Sequence, residues 1–365
     1  MNIGEIIPVL ERFAAPELQE EYDNAGLLTG RREWECSGVL CSLDVTVAVV
    51  REAVQVGCNL IVAHHPVLFQ GVKRLTGQTY VEHVLIEAIK ANVAIYAAHT
   101  NLDNVLFGVS NTIAQRLGLH NCTVLQPKAR MLRRLITFAP KDNADAVRQA
   151  VFNAGAGHIG NYSECSFNTE GTGTFKAEVG ADPYVGQVGK QHVEEETKIE
   201  IVYPFYLQTQ VINALIAAHP YEEVAYDIFV MDNVHKAIGA GIIGELEAGI
   251  REEEFLKILK ERFGLAVVRH TLLRNQPVKR VAVCGGAGSS LIKKALSAGA
   301  DFFISSDIKY HEFFDAEDRM VIADIGHYES EQFAVDLLQS LLVEKFPTFA
   351  VLKTGVNTNP VRYFT

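Results

Sequence analysis

Between residues 37 and 118 two kinds of apolar segment alternate. Residues 37–45 (SGVLCSLDV), 58–63 (CNLIVA) and 93–98 (VAIYAA) are short and nearly continuous, whereas 46–57, 79–92 and 108–118 space their apolar residues around one face of a helix. Short continuous runs between turn residues predict strands buried on both sides; the longer periodic ones predict amphipathic helices. Strand and helix in this rhythm imply βαβ units and a mainly parallel sheet. The rhythm returns after residue 277, with strands at 278–286, 300–306 and 319–326, a helix at 289–299 and one long helix over 328–346.

The two blocks read as copies. Ala53 falls on Ala295, Gly57 on Gly299 and His65 on Asp307 at a constant offset of 242. The third strands align at an offset of 228, which sets His99 on His327 and Asp103 on Glu331 and leaves 14 extra residues in the first block. Shared glycines, strand ends and acid spacings predict two similar lobes related by a pseudo-twofold. Between them, residues 128–237 change texture: strand, helix, two strands, helix, strand, with glycine-rich turns, which reads as a ferredoxin-like α+β insert. The expected fold is therefore α/β: two three-layer lobes, 1–127 and 238–365, form one discontinuous domain around the insert.

Composition narrows the function. The 365 residues are 48% hydrophobic and 21% charged, enough for about two folded domains. A formal charge of −11 without any run of lysine or arginine argues against nucleic acid as a partner. No window is apolar over the roughly 18–20 residues a membrane span needs, and no basic leader precedes an apolar stretch, so a cytoplasmic protein is expected. The six cysteines (36, 41, 58, 122, 165 and 284) form no CxxC pair and read as reduced, mostly buried thiols.

Candidate chemistry sits at strand ends. AHHP (63–66), HTNLD (99–103) and GHYESE (326–331) each follow a predicted strand, and in an open α/β sheet the carboxyl ends of strands line the ligand crevice. Histidine with carboxylate suits zinc, iron, manganese or cobalt. His327 and Glu331, four apart, share a helical face, and Pro66 turns the chain so that His64 and His65 can both reach the crevice. Each motif alone reads as structure more often than as a site; their joint position at three strand ends, with the duplication, reverses that. CGGAGSS (284–290) opens a helix after a strand and could hold a phosphate on its amides, with Gly286 and Gly288 as the GxG and Ser289 beside them, or be a tight turn. Leu291 stands where a dinucleotide fingerprint needs its third glycine. Asp307 and His311, read as one turn apart, are acid/base candidates, with a helix start at Asp307 as the alternative. Asp23, Asn24 and Asp44 add loop acids and amides, Asp44 being equally a helix cap.

Together YDNAGLL, SLDVT, AHHPVLF, AAHTNLDN, SSDIKYHE and DIGHYESE resemble the Nif-three-like family of dinuclear metal proteins, often labelled GTP cyclohydrolase I type 2. The likeness spans both lobes; the insert, with AHPYEEVAYDI, is similar to that of the longer bacterial members, which looks like PII/CutA modules. Two departures, Tyr22 for a common tryptophan and GVSN for GVND, touch no ligand. The resemblance implies two divalent metal ions per subunit, zinc first and iron, manganese or cobalt as alternatives. His64, His65, Asp103, His327 and Glu331 would be the ligands, with Glu331 as the bridge. It also implies a toroidal homohexamer, a trimer of dimers. The activity implied is hydrolytic opening of the guanine imidazole ring of GTP, with His99 or Asp307 moving protons and the 285–290 loop holding phosphates. Two rivals are a two-metal hydrolase of another substrate such as a phosphoester, and a non-catalytic metal-binding assembly or regulatory protein.

Overall fold

The computed structural model describes residues 1–364, divided into two compact units, Met1–Pro127 with Ala237 onward, and Lys128–Lys236. The chain begins with α1 (Ile3–Phe13), in a stretch ahead of the predicted elements. Asn2 and Glu5 form a reciprocal capping box at its start, and Ile3, Ile6, Ile7 and Leu10 make one buried face. There follow β1 (Gly26–Thr29), β2 (Val39–Ser42), α2 (Val47–Gln55), β3 (Leu60–Ala63), α3 (Tyr80–Lys90), β4 (Ala94–Ala97), α4 (Thr100–Asp103), α5 (Val109–Arg116) and β5 (His120–Pro127). Every residue of β2, β3 and β4 is buried, as expected of parallel strands covered on both faces. Alternation divides them between two cores. Cys41, Leu60, Val62 and Tyr96 meet α1 on one side; Leu40, Ile61, Ala63 and Ile95 meet α2 and α3 on the other.

The second unit runs β6 (Leu132–Pro140), α6 (Ala144–Asn153), β7 (Ser166–Lys176), β8 (Gln191–Pro204), α7 (Gln208–Ala218) and β9 (Tyr226–Met231). Its sheet is antiparallel in the order β7-β8-β6-β9, the β-α-β-β-α-β arrangement of a ferredoxin-like module. Leu135, Ile199, Ile201 and Tyr203 pack against Val147, Val151, Val211 and Leu215 of its helices.

Returning to the first unit, the chain adds β10 (Gly239–Arg251), α8 (Glu252–Phe263), β11 (Arg269–His270), β12 (Pro277–Ala287), α9 (Ile292–Ser297), β13 (Phe302–Ser306), β14 (Val321–Asp324), α10 (His327–Glu331), α11 (Ala334–Lys345) and β15 (Val351–Lys353). The two sheets share a plan. One is ordered β1-β4-β3-β2-β15, the other β11-β14-β13-β12-β10-β5, and each has an antiparallel edge strand beside three mutually parallel ones, which β15 extends as a fourth parallel strand in the first sheet and β10 continues antiparallel in the second. The second sheet is likewise three layers: Val281, Phe302 and Val321 face α5 and α8, while Ala282, Phe303 and Ile322 face α9.

Strand pairing tests the repeat directly. Val39 pairs with Leu60 and Val281 with Phe302, which preserves the offset of 242. Leu60 then pairs with Ala94 but Phe302 with Val321, so the third strands stand 227 apart rather than 228, and the first lobe carries 15 extra residues rather than 14. The strand offset therefore sets His327 over Thr100, one place from His99. The long helix predicted over 328–346 is not continuous: it breaks at Gln332–Phe333 into α10 and α11, because tertiary contacts hold both residues. The Gln332 amide donates to the Phe263 carbonyl (3.1 Å), and the Phe333 ring sits under the Arg116 guanidinium. Periodicity cannot register such an anchor.

Candidate metal centre

Past Ala63 the chain stays gripped by β2: the amides of His64 and His65 donate to the Ser42 and Leu43 carbonyls (3.2 and 2.9 Å). Pro66 then has no N–H to continue the ladder. Both imidazoles are thereby held at the carboxyl edge of the sheet, His64 fully buried and His65 partly buried. His99 precedes α4, whose first turn is capped from a distance. The buried Asp23 carboxylate accepts from the Thr100 amide (3.0 Å) and hydroxyl as well as from His99 Nδ1 (2.7 Å). Asp103 closes that helix. In the second lobe Gly326 turns at φ +90°, and α10 then places His327 and Glu331 one turn apart, Nε2 to Oε2 3.0 Å.

The four rings share one arrangement. Nδ1 of His64 meets the Ala98 carbonyl (2.8 Å), Nδ1 of His65 meets Asp44 (2.7 Å), Nδ1 of His99 meets Asp23 (2.7 Å) and Nδ1 of His327 meets Asp307 (2.6 Å). A carbonyl or carboxylate oxygen accepts, so each Nδ1 donates its proton and each Nε2 is left for the shared interior. Burial would raise Asp23 and Asp44, but hydrogen bonds from His99 and Thr100, and from His65 and Thr358, hold both carboxyls below their ordinary range. They stay charged behind their rings.

The inward atoms converge on Glu331. Its Oε2 lies 2.9 Å from His65 Nε2 and 3.0 Å from His327 Nε2, while its Oε1 lies 3.7 Å from His64 Nε2, which is itself 3.7 Å from Asp103 Oδ1. Among the described residues, three groups have donor atoms close enough to share an ion: His65, His327 and Glu331; His64, Asp103 and Glu331; and His64, His65 and His99. Glu331, only 3% exposed, belongs to the first two.

Two atoms test whether a metal fits. His64 Nε2 and Asp103 Oδ1 are buried without a hydrogen-bond partner, and an unsatisfied buried polar group costs about 1–3 kcal/mol. A cation between them satisfies both, and imidazole with carboxylate is a donor set for a first-row divalent ion. The residues present fit such ions. Charge coupling says the same: burial pulls the His65 and His327 rings down, yet contacts with Glu331, Asp44 and Asp307 push them up to about 10 and about 9. Burial pushes Asp103 up to about 6 against the pull of His64, whereas the three imidazoles overcome burial at Glu331 and hold it well below the carboxylate range.

Asp307 takes a left-handed turn (φ +55°) instead of starting a helix; the following 3-10 helix begins at Tyr310. His311 is consequently not one α-turn from Asp307. Its exposed ring lies against Tyr310 and Phe314, outside the cluster. The loop at 285–288 packs against the centre: the amides of Gly285 and Gly286 already donate to Ser110 and Ser330 (3.3 and 3.0 Å). At Gly286 (φ +62°) a Cβ would overlap Glu331 Oε1, and at Gly288 it would overlap the Ser305 hydroxyl. Ser289 donates to Glu312 (3.1 Å). Sequence reading singled out Asp23 and Asp44 but not which ring each supports, and it missed Thr358, whose hydroxyl donates to Asp44 (2.6 Å) from an irregular terminal stretch with no motif.

A family model described as Duf34/NIF3 (NGG1p interacting factor 3) matches residues 1–360. A Halalkalibacterium halodurans protein called GTP cyclohydrolase 1 type 2 homolog is 38% identical over 363 residues, covering 98% of each chain. A Bacillus subtilis protein of the same designation is 35% identical, covering 100% of this chain and 99% of its own. Among solved structures, a Bacillus cereus protein related to NIF3 superposes with a TM-score of 0.87 at 37% identity, covering 100% of this chain and 99% of its own. Among the described residues, no helix is long and apolar enough to cross a membrane.

Proposed function

The chain belongs to the Duf34/NIF3 family, and on that premise we propose that its centre holds two divalent metal ions and hydrolyses a substrate of the kind its relatives' designation indicates, the guanine ring of GTP. His65, His327 and Glu331 would hold one ion and His64, Asp103 and Glu331 the other, with Glu331 as the bridge. The observation that carries this reading is the pair of unpartnered buried atoms, His64 Nε2 and Asp103 Oδ1, set against a carboxylate that already binds two imidazoles. When bound, two such ions lower the pKa of a water toward about 7 and stabilise charge developing on the attacked group.

The protein's own residues supply the rest. Asp44, Asp23 and Asp307 fix the ring orientations of His65, His99 and His327. His99, not needed by either Glu331 group, is the proton carrier: its Nδ1 proton is held by Asp23, so Nε2 is free to take a proton from the attacking water. Water adds at C8 of the imidazole ring, the ring opens and a second hydrolysis releases formate. The test is metal-loaded protein incubated with GTP. Formate release with loss of GTP, abolished in His99→Gln at unchanged metal content, is expected. The absence of both formate release and GTP loss in the fully loaded protein overturns the reaction.

A further inference from the structure

The last described stretch, after β15, has no regular structure, yet it crosses the back of the centre. Two consecutive residues bond to opposite lobes there. Thr358 donates from its hydroxyl to Asp44 Oδ2 (2.6 Å), at the carboxyl end of β2, and Asn359 donates from its side-chain amide to Glu329 Oε1 (3.0 Å), on α10 between His327 and Glu331. The other oxygen of Asp44 holds His65 Nδ1 (2.7 Å), and His65 Nε2 reaches Glu331 (2.9 Å). Thr358, Asp44, His65 and Glu331 thus form one chain of contacts from the terminal stretch to the bridging carboxylate. The stretch is itself pinned. Thr354 donates to Glu52, Gly355 donates its amide to the same carboxylate (2.7 Å), and Val356 donates its amide to Thr354 (3.1 Å).

We infer that this segment is a strap that positions the centre, with Thr358 setting the aim of His65 through Asp44 and Asn359 holding the α10 turn that carries His327 and Glu331. The inference rests on the two-ion reading above and adds positioning residues to it. A carboxylate that orients a ligand histidine typically changes metal affinity by about 10- to 100-fold when lost. Thr358 acts one bond further out, so its loss weakens the ion held by His65 and His327 by about tenfold and leaves the ion held by His64 and Asp103 nearly unchanged.

The experiment titrates zinc into chelator-stripped protein against a chromophoric competitor, for the native chain, Thr358→Val, Thr358→Ser and Asn359→Ala. Melting of the stripped proteins is followed in parallel. Expected are two zinc sites in the native chain, one of them about tenfold weaker in Thr358→Val, recovery in Thr358→Ser, and a similar selective loss in Asn359→Ala, with the stripped melting points of folded variants alike. Should Thr358→Val fail to fold, Asn359→Ala decides the matter. Two native-affinity sites in folded Thr358→Val or Asn359→Ala protein overturn the strap and leave the two-ion reading standing; equal weakening of both sites together with a lowered stripped melting point reduces the strap to a structural clip. No zinc uptake by the native chain overturns both.

Discussion

Gly286→Ala separates backbone strain from damage to the centre. The residue sits at φ +62°, and an added Cβ would overlap Glu331 Oε1. A suitable control is Gly264→Ala, at the end of α8, with nearly the same φ of +66° and nothing within 4 Å of the added atom. Forcing an alanine into the left-handed region costs about 1–2 kcal/mol at either place, equivalent to a melting shift of a few degrees in a unit of this size, at roughly 2–4 °C per kcal/mol. Only Gly286→Ala must also displace a carboxylate shared by both donor groups. Both variants should therefore melt a few degrees lower when stripped, while metal content per chain falls below half of native in Gly286→Ala and stays native in Gly264→Ala. Native metal content in a folded Gly286→Ala protein would refute the bridging role of Glu331.

Other expectations follow from the same geometry. Asp307→Asn should weaken one zinc site about tenfold or more, because the His327 ring loses its charged partner, whereas His311→Ala should leave zinc titrations unchanged, its ring lying against Tyr310 and Phe314. His65 and His327 titrate at about 10 and about 9, so ion uptake expels their protons: zinc affinity should rise from pH 6 to pH 8, with proton release measurable in weak buffer. The linkage runs the other way for stripped protein. Both folded values are raised, so their stabilisation is complete below the unfolded value near 6.5 and is lost as pH climbs through 9 to 10. A stripped melting point that rose over that range would contradict the ion pairs with Glu331.

The α/β layers were legible because β2, β3, β4, β13, β14 and the Val281–Val283 centre of β12 are buried on both faces and so are short, nearly continuous apolar runs. Residues 238–276 gave no comparable signal. β10 is long and bends through an irregular register beyond Glu245, and β11 is only two residues of sheet edge. The one-residue difference in the repeat lies at the third strand, where the histidines match at an offset of 228 but the hydrogen-bonded register runs at 227. At the centre, spacing flagged the histidines and acids at strand ends. It could not pair His65 with Glu331, 266 residues away, nor see that the Asp307 backbone turns left-handed and takes His311 out of reach. Thr358 carries no periodicity or motif; its role exists only through the contact with Asp44.

The central claim is a pair of ions bridged by Glu331, and the direct measurement is metal per chain by elemental analysis on protein purified without a histidine tag, with Glu331→Ala beside it. About two equivalents of zinc, iron, manganese or cobalt in the native chain, falling below one in the variant, is the predicted result. Near-zero metal that added ions do not restore, or two equivalents retained in Glu331→Ala, contradicts it.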